Sequence, residues 1–166
     1  MKWTKLIILL LAIASIQGTC RVGTRDVSIE PEAKTVKVNL IENRARYNNP
    51  QLAPKLTDKL RQKIVNQTRL TQTNGEADYE ISAVITDYSV STSGISNQQT
   101  SSNNLNVTVH VLYVNKVKPS RNFEADVTRN YPFAASLSLP QAETQLAEQL
   151  INNLADEIFN RIFSDW

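Results

Sequence analysis

The sequence predicts an α+β domain built as a two-layer sandwich, with a four-stranded mixed sheet and two helices packed on one of its faces. Three observations predict this architecture. Four segments alternate apolar and polar residues with the period of a strand, and two segments repeat apolar residues at the spacing of a helix. These segments follow one another in the order β-α-β-β-β-α. Two amphipathic helices and one apolar sheet face bury each other when both helices lie on that face.

A leader precedes the predicted domain. A short basic start and a nearly unbroken apolar run over residues 6–16 are typical of a bacterial secretory signal, too short to span a bilayer as a stable helix. We therefore predict a signal peptide over residues 1–19. Cys20 follows at once and is the only cysteine in the chain, so it cannot form an internal disulfide.

The position of Cys20 predicts acylation and a lipid anchor after cleavage of the signal, as in bacterial lipoproteins. Gln17 and Thr19 depart from the usual lipoprotein cleavage pattern. The alternative is ordinary signal-peptidase cleavage, which leaves a free thiol.

The charge balance excludes some classes of partner. The whole chain has 18 basic and 16 acidic residues, a formal net charge of +2. The signal contains Lys2 and Lys5 and no acidic residue, so the chain from Cys20 onward has a net charge of zero. We therefore expect no nucleic-acid partner, and no second apolar run predicts a transmembrane helix.

The first half of the predicted domain contains one strand and one helix. Residues 20–33 show little periodicity and are predicted to be a tether, whereas residues 34–166 form a single domain. Apolar and polar residues alternate over residues 35–41, which predicts the first strand. A helix follows, with Pro54 confined to its first turn. The apolar stripe of that helix consists of Leu52, Leu56, Leu60 and Ile64.

The second half contains three strands. They are predicted over residues 79–90, 105–113 and 123–127, where the apolar and polar residues again alternate. Residues 91–104 are mostly Ser, Thr, Asn and Gln, so they cannot bury much apolar surface and are predicted to be a mobile loop. The loop residues that we single out are Ser91, Gly94, Ile95, Asn97 and Asn104.

The final element is predicted to be a helix of about 24 residues, roughly 36 Å long. Ser138 and Gln141 have the spacing of a capping box at its start. The apolar stripe of this helix consists of Leu146, Leu150, Leu154, Ile158 and Ile162.

The order of elements also predicts which residues lie at the same end of the domain. A helical connection makes the first two strands parallel, and short connections make the later neighbours antiparallel. The polar loop and the ends of the first, second and fourth strands then share one pole, with the N-terminus at the other. Arg44, Arg46 and Arg129 are predicted to converge around the loop. The alternative is that these arginines only keep the surface soluble.

Catalytic and metal sites are not predicted. His110 is the only histidine, and the strand alternation places it on the polar face of the sheet. A lone imidazole without a second histidine or cysteine is a poor metal site and has no nucleophile partner. We expect no enzymatic activity, no metal and no cofactor.

The chain resembles the LptE family, the outer-membrane lipoproteins that assist lipopolysaccharide assembly, and is most similar to a divergent branch of it. The matching segments follow the family order across the domain, although no single motif is very specific. They are Lys34-Thr35-Val36-Lys37-Val38, Glu42-Asn43-Arg44-Ala45, Asn66-Gln67-Thr68-Arg69-Leu70, Ile85-Thr86-Asp87-Tyr88-Ser89-Val90, Asn104-Leu105-Asn106-Val107-Thr108-Val109, Asn122-Phe123-Glu124, Ser136-Leu137-Ser138-Leu139, Asp156-Glu157-Ile158-Phe159-Asn160 and Trp166.

The resemblance implies a function. A member of this family would be lipid-anchored on the periplasmic side of the outer membrane, where it plugs the LptD β-barrel, assists its assembly and contacts lipopolysaccharide. It also implies that the loop reaches into the barrel lumen and that Arg44, Arg46 and Arg129 contact lipopolysaccharide phosphates. The alternative is a free periplasmic or membrane-anchored module that binds lipid or glycan without a barrel partner.

Overall fold

The computed structural model describes residues 27–47, 49–96 and 99–164, apart from the side chains of 93–96 and 99–101. This part of the chain forms one mixed sheet of six strands and two α-helices, with a short 3₁₀ helix between the last two strands. The elements are β1 Thr35–Val38, β2 Glu42–Asn43, α1 Leu52–Gln67, β3 Thr71–Gln72, β4 Tyr79–Ser96, β5 Gln99–Asn115, the 3₁₀ helix Pro119–Arg121, β6 Phe123–Ala134 and α2 Leu139–Phe163.

The strand order in the sheet is β3-β1-β4-β5-β6, and β2 pairs with β4 beyond the end of β1. The pairs β1–β3, β1–β4 and β2–β4 are parallel, whereas β4–β5 and β5–β6 are antiparallel. The predicted α+β class with two helices and a mixed sheet is confirmed. The prediction of four strands is too low, because β2 and β3 have two residues each and are too short to show the alternation of a strand.

Helix α1 begins at Leu52, so Pro54 lies in its first turn as predicted. Proline is tolerated there because the first N–H groups of a helix have no acceptor within it. Leu56, Leu60 and Ile64 are almost completely buried against the sheet. Thr57 is also buried, and its hydroxyl donates to the Ala53 carbonyl (2.8 Å) and accepts the Ile41 N–H (3.0 Å). This hydroxyl therefore joins the segment after β1 to the helix.

Helix α2 contains 25 residues, and the predicted capping box of Ser138 and Gln141 is confirmed. Its buried face continues the predicted stripe and packs on α1 and the sheet. The helix begins beside the end of β6 and ends beside the first described residues, so it runs along the length of the sheet. The buried residues of α2 are Ala142, Leu150, Leu154, Ala155, Ile158, Phe159, Ile162 and Phe163.

A β-bulge in β4 changes which residues face the helices. Residues Tyr79 to Ile85 alternate inward at odd positions, and the register with β5 then shifts between Ile85 and Asp87. The extra residue moves the inward direction to even positions. As a result, Tyr88 faces the helices and is 4% exposed.

The predicted mobile loop is wrong, because residues 91–104 lie largely in a β-hairpin. β4 continues to Ser96, β5 starts at Gln99, and the pairing includes Ser91 with Asn104. A polar segment can form a hairpin, because the ladder joins backbone groups whatever the side chains are and threonine favours strands. Ser91, Gly94 and Ile95 therefore lie in β4 and Asn104 in β5, whereas Asn97 lies outside the described residues.

The first described residues belong to the folded domain. Val27 forms a β-bridge with Ser164, and the Ser28 N–H donates to the Phe163 carbonyl at 2.8 Å. Ile29 packs against the core, and Ala33 is 1% exposed. Residues 27–33 of the predicted tether are therefore packed on the domain. The rest of the tether, the predicted signal peptide and Cys20 lie outside the described residues.

Candidate functional surfaces

The face of the sheet opposite the helices, which we call the outer face, is largely polar, as its alternation predicts, although the apolar side chain of Leu112 is 37% exposed there. The Asn39 amide donates to Glu80 Oε1 and Ser82 Oγ, both at 2.9 Å. The hydroxyl oxygens of Thr108 and Thr128 are 3.0 Å apart across β5 and β6. These polar side chains therefore form hydrogen bonds with one another across the outer face, and the same side chains remain accessible to solvent.

The charges on the outer face are mostly negative and partly paired. Lys37 lies 3.6 Å from Glu80, and the Asn39 hydrogen bond together with this lysine holds the pKa of Glu80 below its usual range. His110 Nδ1 lies 2.8 Å from Asp126 Oδ1, and its Nε2 lies 3.6 Å from Glu124. The predicted position of His110 on the polar face is confirmed. An anionic ligand would find little attraction on this face.

The three predicted lipopolysaccharide contacts do not converge. The N–H of Arg44 donates to the Ile85 carbonyl beside β4, and its guanidinium lies 2.6 Å from the Glu42 carboxylate. Arg129 lies in β6 at the other edge of the sheet, where its guanidinium contacts Glu157 of α2. The two edges are three strand spacings apart, about 14 Å.

The arginines also lie away from the end of the hairpin. Arg129 pairs with Val107, which faces Tyr88 in β4, and β4 continues eight residues beyond Tyr88 to Ser96. This distance is about 26 Å at 3.3 Å per residue. The predicted convergence around the loop is wrong, because the fourth strand runs to Ala134 instead of ending near residue 127. Arg46 is exposed.

The N-terminal end of the domain, near Val27 and Ser164, is held by a carboxylate network. Glu30 accepts hydrogen bonds from the Tyr79 hydroxyl, from the Asn115 amide (3.1 Å) and from Arg121 Nη1 (3.1 Å). The Glu30 side chain is 11% exposed. Burial alone would raise its pKa, but these hydrogen bonds outweigh burial and lower the pKa of Glu30 to about 2.

A second cluster lies on the helix side, where the start of α1 approaches the start of α2. The rings of Tyr47 and Tyr88 stack with centroids 5.5 Å apart and an angle of 20° between planes. Both hydroxyls donate to the Glu143 carboxylate, at 3.3 Å from Tyr47 and 2.7 Å from Tyr88, and the Asn49 amide donates at 3.0 Å. The sequence analysis missed this cluster, since its members are separated by up to 96 residues in the chain.

The two tyrosines of this cluster stay protonated at neutral pH. Burial, followed by the hydrogen bond to Glu143, raises the pKa of Tyr88 above its usual range. The negative charge of Glu143 is the main cause that raises the pKa of Tyr47. Both hydroxyls therefore remain neutral hydrogen-bond donors.

The described residues show two further features. None of the helices in this part of the chain is long and apolar enough to cross a membrane. No group of three or more potential metal-ligating side chains occurs among the same residues.

The described residues, a six-stranded mixed sheet covered by two helices on one face and largely polar on the other, define a small α+β domain. The sequence model of the LptE family, described as lipopolysaccharide-assembly, matches residues 33–162. The chain therefore belongs to the LptE family, a family of non-enzymatic lipopolysaccharide-assembly lipoproteins. No curated protein sequence is significantly similar to the chain.

Several solved structures share the fold. A minor lipoprotein from Acinetobacter baumannii has a TM-score of 0.52 at 14% identity, covering 80% of this chain and 97% of that one. A hypothetical protein from Chlamydia trachomatis has a TM-score of 0.51 at 7% identity, covering 78% and 98%. PelC from Paraburkholderia phytofirmans, a dodecamer, has a TM-score of 0.50 at 9% identity, covering 85% and 95%. At these identities the likeness supports the fold alone.

Proposed function

We propose that this protein is a lipid-anchored subunit of the outer membrane that fills the lumen of the LptD β-barrel and assists its assembly for lipopolysaccharide transport. Membership of the LptE family, described as lipopolysaccharide-assembly, supports a role in lipopolysaccharide transport. The shape and polarity of the domain support the role of a plug.

The outer face of the sheet is the observation that carries this proposal. The lumen of a large outer-membrane barrel is polar, so a surface that enters it must be polar too. The outer face satisfies many of its own hydrogen bonds, as between Asn39 and Ser82 and between Thr108 and Thr128. Removing water from the paired groups of this face costs little, because they keep their hydrogen-bond partners.

The hairpin extends the plug. Among the described residues, no strand pairs with β4 beyond Ile85 on the side where β1 and β2 pair, so that edge of the hairpin has no strand partner there. A narrow polar ribbon of this kind can penetrate further into a lumen than the helix-covered part of the domain. We propose that the hairpin, rather than a mobile loop, is the part inserted most deeply.

The lipid anchor and the lipopolysaccharide contacts complete the proposal. The described chain begins at Val27, which lies beside Ser164 at the end opposite the hairpin, so acyl chains on the preceding Cys20 would hold that end at the membrane. Arg44 and Arg46 at one edge, and Arg129 at the other, would contact lipopolysaccharide phosphates as two separate contacts. Arginine forms bidentate, charge-assisted hydrogen bonds with phosphate, which can replace the ion pairs that Arg44 and Arg129 make within the domain.

Co-purification tests this function. Solubilised outer membranes should yield an equimolar complex of this protein with a β-barrel. Thr108→Lys, at the centre of the outer face, should reduce the yield of the complex without unfolding the domain. Gln62→Lys on the exposed side of α1 is the matched control and should leave the yield unchanged. A barrel-free protein in the wild-type membranes, or equal yields for Thr108→Lys and wild type, would contradict the proposal.

A further inference from the structure

The groove between the starts of α1 and α2 contains a carboxylate that forms no ion pair with a Lys or Arg of the described residues. We call it the Tyr47–Glu143 cleft; its volume is about 520 Å³. Glu143 is half-buried, and its hydrogen-bond donors are two tyrosine hydroxyls and one amide, all of them neutral. Within the described residues, no Lys or Arg nitrogen forms an ion pair with it. The cleft is lined by Tyr47, Asn49, Pro50, Gln51, Leu52, Lys55, Tyr88, Pro140, Glu143, Thr144, Ala147, Leu150 and Ile151.

The stacked tyrosines give the cleft an aromatic wall. Tyr88 is buried behind Tyr47, whereas Tyr47 is 41% exposed and offers ring surface to a ligand. Aromatic faces attract cations, and guanidinium groups also stack on them. Because both hydroxyls are turned to Glu143, the rings and the carboxylate are fixed relative to each other before any ligand arrives.

Lys55 is the only charged neighbour of opposite sign in the described lining of the cleft. Its ammonium is exposed and is bound to Gln51 Oε1 at 2.8 Å. An exposed, solvated charge is screened more strongly than a half-buried one. An anion in the cleft would be repelled by Glu143. A cation would meet the Glu143 carboxylate, which has no Lys or Arg ion-pair partner in the described part of the chain, and the open aromatic face of Tyr47.

We propose that the Tyr47–Glu143 cleft binds an organic cation, a guanidinium or primary ammonium group, with Glu143 as its counter-charge and Tyr47 as the surface on which it lies. The remaining acceptor capacity of Glu143 suits this, because a carboxylate offers about four lone-pair positions and three donors are present. Of the two groups, a planar guanidinium fits better, because it stacks on an aromatic face and forms bidentate hydrogen bonds with a carboxylate, so the expected occupant is an arginine side chain of a protein partner. This inference does not depend on the proposed function, since it uses only the cleft.

A titration followed by aromatic NMR tests the inference on the purified protein. The probes are methylguanidinium and ethylammonium, with sodium chloride at equal ionic strength as the blank. The ring signals of Tyr47 and Tyr88 should move saturably, while those of Tyr79, Tyr113 and Tyr131, the other tyrosines of the chain, stay in place. Tighter binding of methylguanidinium supports an arginine side chain as the occupant, and tighter binding of ethylammonium would overturn that assignment in favour of a primary amine.

Three variants separate the contributions of charge and ring. Glu143→Gln keeps the size of the side chain and should weaken binding about tenfold. Tyr47→Leu removes the exposed ring and should also weaken it, and since this side chain is largely at the surface, the fold should persist. Lys55→Met should strengthen binding, because it removes the competing positive charge. Glu148→Gln, on the same helix but exposed outside the cleft, is the control and should change nothing.

Several outcomes would overturn the inference. They are equal affinity for wild type and Glu143→Gln, weaker binding after Lys55→Met, and shifts spread evenly over all five tyrosines. A response of Tyr47 and Tyr88 to phosphate or to N-acetylglucosamine, with none to either cation, would also overturn it and would assign the cleft to an anion or a neutral sugar.

Discussion

Replacing Glu30 by Gln should destabilise the domain in a pH-dependent way. The Glu30 carboxylate joins the segment after the predicted anchor to β4, β5 and the 3₁₀ helix, through Tyr79, Asn115 and Arg121. Its pKa is about 2 in the folded protein against 4.5 for the free group. A difference of about 2.5, at about 1.4 kcal/mol for each tenfold change, corresponds to about 3 kcal/mol of stability at neutral pH.

The lowered pKa of Glu30 determines in which direction the stability changes with pH. The folded state favours the ionised carboxylate, so this stability is fully present above pH 4.5 and is lost as the pH falls towards 2. About 2 kcal/mol of it should already be lost at pH 3. Glu30→Gln should therefore lower the free energy of unfolding by about 3 kcal/mol at pH 7 and by only about 1 kcal/mol at pH 3.

Urea denaturation monitored by circular dichroism measures the effect of Glu30→Gln on the free energy of unfolding. The wild type and Glu30→Gln are unfolded at pH 7 and pH 3, and the free energies of unfolding are compared at each pH. Glu32→Gln is the control, because Glu32 is exposed and lies only two residues away. An equal difference between wild type and Glu30→Gln at the two pH values would refute the reasoning, as would an equal loss for Glu32→Gln.

Three further predictions concern the proposed contacts and the core. Replacing Arg44, Arg46 and Arg129 together by Ser should weaken lipopolysaccharide binding in a salt-dependent way, with little change in melting temperature because exposed ion pairs stabilise weakly. Cys20→Ala should release the protein from membranes into the soluble fraction, since it removes the site of acylation. Thr57→Val should lower the free energy of unfolding by about 1–3 kcal/mol, because it leaves a buried backbone N–H without an acceptor.

Each of these predictions has a contradicting outcome. Equal affinity for the triple arginine variant, measured at low salt, would show that those side chains only solvate the surface. Unchanged membrane retention of a folded Cys20→Ala protein in cells without the barrel would remove the lipid anchor. A melting curve of Thr57→Val that overlays that of the wild type would show that the Ile41 N–H finds another partner.

The sequence predicted the elements whose signal is local. The capping box at Ser138, the apolar stripes of both helices and the polar outer face around Thr108 all follow from spacing within one segment, and the structure has them. β2 and β3 could not be predicted, because two residues carry no periodicity.

The misplaced features depend on long-range pairing. The hairpin has the polar composition that is typical of loops. Its strand structure depends on the pairing of β4 with β5 from Ser91 and Asn104 onward, which composition does not predict. The bulge after Ile85 turns Tyr88 inward, and this cannot be read from simple alternation. The network of Glu30 and the cluster of Glu143 each join residues far apart in the chain, so composition and spacing gave no signal for them.

Site-specific photo-cross-linking in cells tests the central claim most directly, namely that the outer face and the hairpin meet the lumen of the barrel. A photoreactive residue would replace Thr108 on the outer face or Ser91 in the hairpin, and Gln62 on the exposed side of α1 would serve as the comparison. The account predicts strong adducts with the LptD barrel from Thr108 and Ser91, and weaker ones from Gln62. Adducts from Gln62 alone, with none from the other two positions, would contradict it.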